Sequence, residues 1–118
     1  MVAIVACGAG IAVAQTEWVD HPDNPVVGTE DVGAWAPGGA AVSAVIFDGT
    51  TYHMWFAGEE ESGLSGADIG HATSTDGLDW TMDPANPVLR RGQPGAADSW
   101  AVQFYGSVVR ENGKFRMW

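Results

Sequence analysis

Apolar positions in this chain fall in short runs punctuated by Asp-Gly pairs. Val42 to Phe47 is small and β-branched, Asp48-Gly49 follows, and Thr51 to Ala57 is aromatic and apolar. Asp-Gly between two such runs supplies the backbone angles of a tight turn, so the segment predicts a β-hairpin. The Gly/Ser/Glu-rich stretch from Gly58 to Gly66 predicts a loop. Asp68 to Ser74 predicts a third strand, Asp76-Gly77 a second turn and Leu78 to Met82 a fourth strand. Asp83-Pro84-Ala85-Asn86-Pro87 then breaks the pairing, because proline cannot donate to a ladder. No ten-residue stretch carries helical periodicity, so the expected class is all-β.

The second strand says more. Tyr52, Met54 and Phe56 share one face, and His53 and Trp55 share the other. A hairpin with one wet face alternates apolar with polar residues. Large side chains on both faces predict a strand covered on both sides.

The pattern returns. Asn24-Pro25-Val26 recurs 62 residues on as Asn86-Pro87-Val88, and Trp18 recurs as Trp80 at the same offset. Ser43 matches Ser107 and Asp48-Gly49 matches Asn112-Gly113, both at 64. Tyr52-His53-Met54-Trp55 matches Phe115-Arg116-Met117-Trp118 at 63. Anchors kept in order with slips of one or two residues indicate a repeated module. Four antiparallel strands repeated every 60 residues or so describe a propeller blade, a sheet buried between its neighbours. The expected architecture is a partial β-propeller of about one and a half four-stranded blades over residues 15–118, the N-terminal part of a longer protein. A β-sandwich with accidental repetition is the plainer alternative.

These residues carry a family likeness. Asn24-Pro25-Val26, Ser43 to Gly58 and Ile69 to Trp80 resemble the blade pattern of the five-bladed β-propeller glycoside hydrolases. That superfamily includes the arabinanase/xylosidase-like family 43, the invertase-like family 32 and the mannoside phosphorylases of family 130. The likeness covers almost everything after residue 14 and is specific for the blade, not for a substrate. It implies action on extracellular carbohydrate by a pair of carboxyl groups. Ser74 to Trp80 is similar to the sialidase Asp-box but lacks the residue between Asp76 and Gly77, and reads as a hairpin signature. The family often carries Asp-Pro at the start of the innermost strand. Here those positions hold Val42-Ser43 and Tyr105-Gly106.

Charge narrows the partners. The 118 residues hold 5 Lys or Arg against 15 Asp or Glu, a formal net charge of -10. Such a surface repels phosphate backbones and anionic membranes, so nucleic acid is not an expected partner. Glu59-Glu60-Glu61 reads as a solvated run, with no spaced calcium loop around it. Met1 to Ala14 is apolar or small, too short to span a bilayer, and ends in a small-x-small pattern at Ala12-Val13-Ala14. It reads as a signal-peptide-like segment without a basic start, implying secretion or a periplasmic location. Acylation of Cys7 as in a lipoprotein, or a buried apolar strand, are the alternatives. Cys7 is the sole cysteine, so neither an intrachain disulfide nor a Cys/His zinc cluster is expected, and no metal or cofactor is implied.

Antiparallel order sorts the candidate chemistry. The Asp-Gly turns share one rim, where Asp48, Asp76 and Asp79 read as turn residues. Glu30, Asp31, Glu59, Glu60, Glu61 and Asp98 fall on the other. Asp31 and Asp98 are the nearest replacements for the missing innermost-strand Asp and are the candidate catalytic groups. Trp35, Trp100, Gln103 and Tyr105 are the candidate substrate-binding residues, the indoles offering flat faces for sugar rings. The alternative role for each Trp is packing between blades. His21, His53 and His71 read as packed or surface residues. Besides hydrolysis, two further readings stand: a non-catalytic glycan-binding or scaffold propeller, and an assembly module closing a ring from several copies.

Overall fold

The computed structural model describes residues 19–61, 65–102 and 106–118. The signal-like segment 1–14 with Cys7, as well as Trp18, Gln103 and Tyr105, lie outside the described residues. The described part is all-β. Strands β1 (Gly39–Phe47), β2 (Tyr52–Glu61), β3 (Ser65–Ser74) and β4 (Thr81–Met82) form one antiparallel sheet in chain order. Strands β5 (Val108–Glu111) and β6 (Lys114–Met117) form a separate hairpin. No helix among the described residues is long and apolar enough to cross a membrane.

The Asp-Gly signals fall at turns. Asp48 Oδ1 accepts hydrogen bonds from the amides of Thr50 and Thr51 and from the Thr50 hydroxyl, closing the β1–β2 turn. In β5–β6 the turn is tighter. Glu111 pairs with Lys114, leaving only Asn112 and Gly113 between, both at positive φ (52° and 74°). That is the backbone of a two-residue hairpin, which asparagine and glycine tolerate best.

Two boundaries differ from expectation, each for a local reason. The loop expected over Gly58 to Gly66 is largely ladder, with Gly58 opposite Asp68, Glu59 opposite Ala67 and Glu61 opposite Ser65. An antiparallel ladder continues while both backbones gain partners, and the Glu60 carboxylate finds Arg91. The strand expected over Leu78 to Met82 shortens to two residues. Asp76 Oδ1 takes the amides of Leu78 and Asp79, and the Trp80 indole donates to the Gly77 carbonyl. Those amides are committed to the turn and leave the ladder.

Strand β2 is covered on both faces, as its alternation requires, with Met54, Trp55 and Phe56 all buried, while Val42, Val45 and Phe47 of β1 stay exposed. On one face Met54, Phe56 and Ala72 pack with Val32 and Ala36, the segment before β1 lying over them. Trp35 joins them, its ring 5.9 Å from Phe56. Its ring lies where a Cβ on Gly58 would sit and crowds Gly70, so only glycine fits at those positions. On the other face Trp55, Ala57, Ala67 and Ile69 pack against Val108, Phe115 and Met117 of the hairpin. Aligned at 63 residues, Val108, Phe115 and Met117 correspond to Val45, Tyr52 and Met54. The second hairpin thus meets the first sheet with the face equivalent to the one on which Val45, Tyr52 and Met54 lie.

Candidate functional site

Chemistry gathers at both ends of the sheet. At one end the β2–β3 connection and the start of β1 come together, Gly39 pairing with Glu59 and the Gly38 amide donating to the Glu59 carbonyl. Two arginines are fixed here. The Arg91 amide donates to Asp68 Oδ1 at 2.9 Å while its guanidinium pairs with Glu60. Arg90 Nη1 lies 3.8 Å from Asp68 Oδ2. The Glu60 carboxylate beside Arg91 raises the Arg91 pKa further above its ordinary value, so this cation is permanent.

The candidate carboxylates sit on the two loops that approach this rim. Asp31 Oδ2 accepts the Gly28 amide at 2.7 Å, closing its own turn. Its loop is anchored by Val32 and Ala36 on the Met54/Phe56 face. Asp98 is exposed in a turn-rich loop, its carbonyl accepting from Gly92. The chain after it is anchored by Ala101 and Val102 on the opposite face, with the Val102 amide donating to Ala67. The sheet therefore stands between the two anchors.

The two tryptophans diverge. Trp35 is half-buried against glycines, and its Nε1 is buried without a hydrogen-bond partner. Trp100, two residues after Asp98, is 65% exposed.

At the turn end lies a constellation that sequence reasoning passed over. His53 on β2 and His71 on β3 are diagonal neighbours on one face, because Trp55 is the direct partner of His71. Their rings stack at 5.4 Å with Nδ1 of His53 3.2 Å from Nε2 of His71. A carboxylate stands at each end: Asp48 Oδ2 is 3.6 Å from His53 Nε2, and Asp83 Oδ2 is 3.1 Å from His71 Nδ1. Asn86 holds the His71 peptide with both amide atoms, accepting from its N–H and donating to its carbonyl. Arg110, from the hairpin, reaches Asp48 Oδ2 at 3.3 Å and donates to the Asp48 carbonyl.

Hydrogen bonds order the series His53–His71–Asp83, with Asp48 Oδ2 beside His53 Nε2 but beyond hydrogen-bond distance. The ionised Asp83 requires His71 to donate from Nδ1. When His71 is neutral its Nε2 must then accept, from His53 Nδ1–H. The amide of Ala85 and His71 hold the Asp83 pKa below its ordinary value. The amides of Thr50 and Thr51 do the same for Asp48, and those of Leu78 and Asp79 for Asp76. Trp55 and Phe115 wall the imidazoles, with Phe115 4.6 Å from the His53 ring. An open groove of about 500 Å³ lies over them, bordered also by Val88 and Lys114. Among the described residues no group of three or more His, Cys, Asp or Glu side chains is arranged to hold a metal ion. His53, His71 and Asp83 thus form a hydrogen-bonded series at the contact between the two sheets. The sequence signal for it was slight: two histidines in apolar strands, whose proximity depends on register.

Compared with protein-family models, with curated proteins and with solved structures, the chain finds no match.

Proposed function

We propose that the four-stranded sheet is a blade of a β-propeller of glycoside-hydrolase type, secreted to act on extracellular carbohydrate, with β5–β6 opening the next blade. What supports the architecture is the contact between the sheets. One face of the first unit packs on the opposite face of the second, an arrangement that can be repeated around an axis.

The rim at the β2–β3 connection is the sugar-facing side. The observation that carries this reading is Trp100, exposed two residues from Asp98 on a loop at the rim where Arg90 and Arg91 are held by carboxylates. An exposed indole offers a flat apolar face to a sugar ring, and fixed charged groups can hydrogen-bond its hydroxyls. Asp31 and Asp98 remain the candidate carboxyl pair, with other blades supplying what this segment lacks.

A second reading, glycan binding without cleavage, has its own support. A cleaving pair needs two carboxyl groups free to face the glycosidic bond. Of the candidate pair, Asp31 is taken up by the Gly28 amide of its own turn, and the innermost strand carries no Asp.

The test is calorimetric titration of the purified chain with arabino-, xylo- and manno-oligosaccharides, alongside an assay for released reducing ends. Binding of at least one series is expected, weakened more than tenfold by Trp100→Ala. Release of reducing ends would favour hydrolysis, and binding without release the second reading. If no neutral oligosaccharide binds, the carbohydrate proposal is wrong.

A further inference from the structure

Hydrogens can be counted along the series where the two sheets meet. Contacts run from the first turn to the segment after β4. Asp48 Oδ2 lies 3.6 Å from His53 Nε2, His53 Nδ1 lies 3.2 Å from His71 Nε2, and His71 Nδ1 lies 3.1 Å from Asp83 Oδ2. Each contact needs one hydrogen between its two atoms. Two neutral imidazoles bring one each, which leaves one contact short. The ionised Asp83 takes the hydrogen on His71 Nδ1, and the ring-to-ring contact takes the one on His53 Nδ1. His53 Nε2 then turns a lone pair toward the Asp48 carboxylate. Two acceptors face each other there, at the longest of the three distances.

One added proton completes the series. On His53 Nε2 it gives every contact a single hydrogen, and both carboxylates then face a donor. A second would have to enter between His53 Nδ1 and His71 Nε2, where two N–H groups would oppose each other, so it breaks that contact. The arrangement fits one proton, neither none nor two.

The surroundings hold the parts in place. Asp48 Oδ1 is occupied by the amides of Thr50 and Thr51, so Oδ2 is the oxygen left for His53 and for Arg110 of β5. Asn86 grips the His71 peptide, and Phe115 of β6 lies against the His53 ring. Among the described residues, the charged groups around the pair are Asp48 from the first turn, Asp83 after β4, Arg110 from β5 and Lys114 from β6. The side chains of His53 and His71 are 15% and 16% exposed, shielded yet open to protons from solvent.

We propose that His53 and His71 form a one-proton latch between the first turn and the second hairpin. Uptake of a single proton draws His53 Nε2 onto Asp48 Oδ2, the oxygen that also holds Arg110. A carboxylate oxygen has lone pairs for both donors. Closure ties the β1–β2 turn, the stacked rings and the hairpin together through one carboxylate. The closed contact binds more protons than its separated parts, so it strengthens as the pH falls through this uptake and weakens as the pH rises. Carbohydrate binding plays no part in the latch, and either proposal can fail alone.

The test is nitrogen-15 NMR of the imidazoles in the whole chain, followed from about pH 8 to about pH 5, the range in which histidine gains its proton. His53 Nε2 is expected to gain a hydrogen while His71 keeps its Nδ1–H, the pair taking up one proton and not two. His21, exposed and outside the series, serves as the internal reference. Over the same step the urea midpoint of unfolding should rise. Asp48→Asn keeps an acceptor for the turn and sets an amide N–H before His53 Nε2, so it should abolish both the uptake at that atom and the rise. His53→Gln, which removes the titrating ring, should abolish the rise as well. The proposal is overturned by two charged rings still in contact, by a midpoint that does not rise with the His53 step, or by variants that behave as the wild type does.

Discussion

The β1–β2 and β5–β6 hairpins are two copies of one pattern in two settings. In β2, Met54, Trp55 and Phe56 are all buried, because β3 pairs alongside and each face is covered. In β6, Phe115 and Met117 are only half-buried and Arg116 is exposed, as is Trp118 just after the strand. Similar residues at matching positions therefore contribute unequally. Burial is set by what lies beside the strand, and the strand's own composition states only what it could bury.

The sharpest way to break this comparison is truncation at paired depths. Phe56→Ala removes a ring that is 1% exposed and should cost about 3–5 kcal/mol by denaturant unfolding. Phe115→Ala, at a half-buried site, should cost about half as much or less. Equal losses would mean that the two hairpins are equally embedded.

A smaller effect tests the close approach behind β2. A side chain on Gly70 meets the Phe56 ring and the Trp35 indole, so Gly70→Ala forces one of them out of place. A loss of about 1–3 kcal/mol is expected by the same unfolding assay. Gly113→Ala in the second hairpin meets nothing nearby and should show only the milder strain of its positive φ.

The smallest effect separates the two turns by pH. Asp48 is held far below its ordinary value of 3.8, chiefly by the amides of Thr50 and Thr51. A depressed folded-state pKa gives stability that is complete above the unfolded value and fades as the pH falls below it. The matching turn residue, Asn112, does not titrate. Protection of the Thr50 and Thr51 amides against hydrogen exchange should therefore decline below about pH 4, with the β5–β6 amides unchanged. Asp48→Asn should remove the pH dependence at the first turn. A parallel decline in both hairpins would point to global acid unfolding.

The turns, the hairpins and the double-sided burial of β2 could all be read from residue order. Asp48-Gly49 and Asn112-Gly113 carry their own backbone preference, and Tyr52 to Ala57 shows large residues on both faces. Strand ends could not be read so well. The β2–β3 ladder through Gly58 and Glu59 depends on whether a partner backbone is present, and the short β4 depends on where Asp76 spends its hydrogen bonds. A register shift between Val42 and Ala44, which puts Ser43 out of step, left no trace in composition. The pairing of His53 with His71 was hidden for the same reason. Eighteen residues separate the two rings in sequence, and only register brings them together. Of the candidate site, Trp100 and Asp98 stand on one exposed loop, while Trp35 is turned to packing.

Asn86 does more than fix a histidine. Its amide group presents one acceptor and one donor to the peptide of His71, as a neighbouring backbone would, at a place where Pro87 next to it has no N–H to give. One side chain thus counterfeits a rung of the ladder. With β4 on one flank and the Ile69–Leu89 bridge on the other, it seals the outer margin of β3 against adoption by a stray strand.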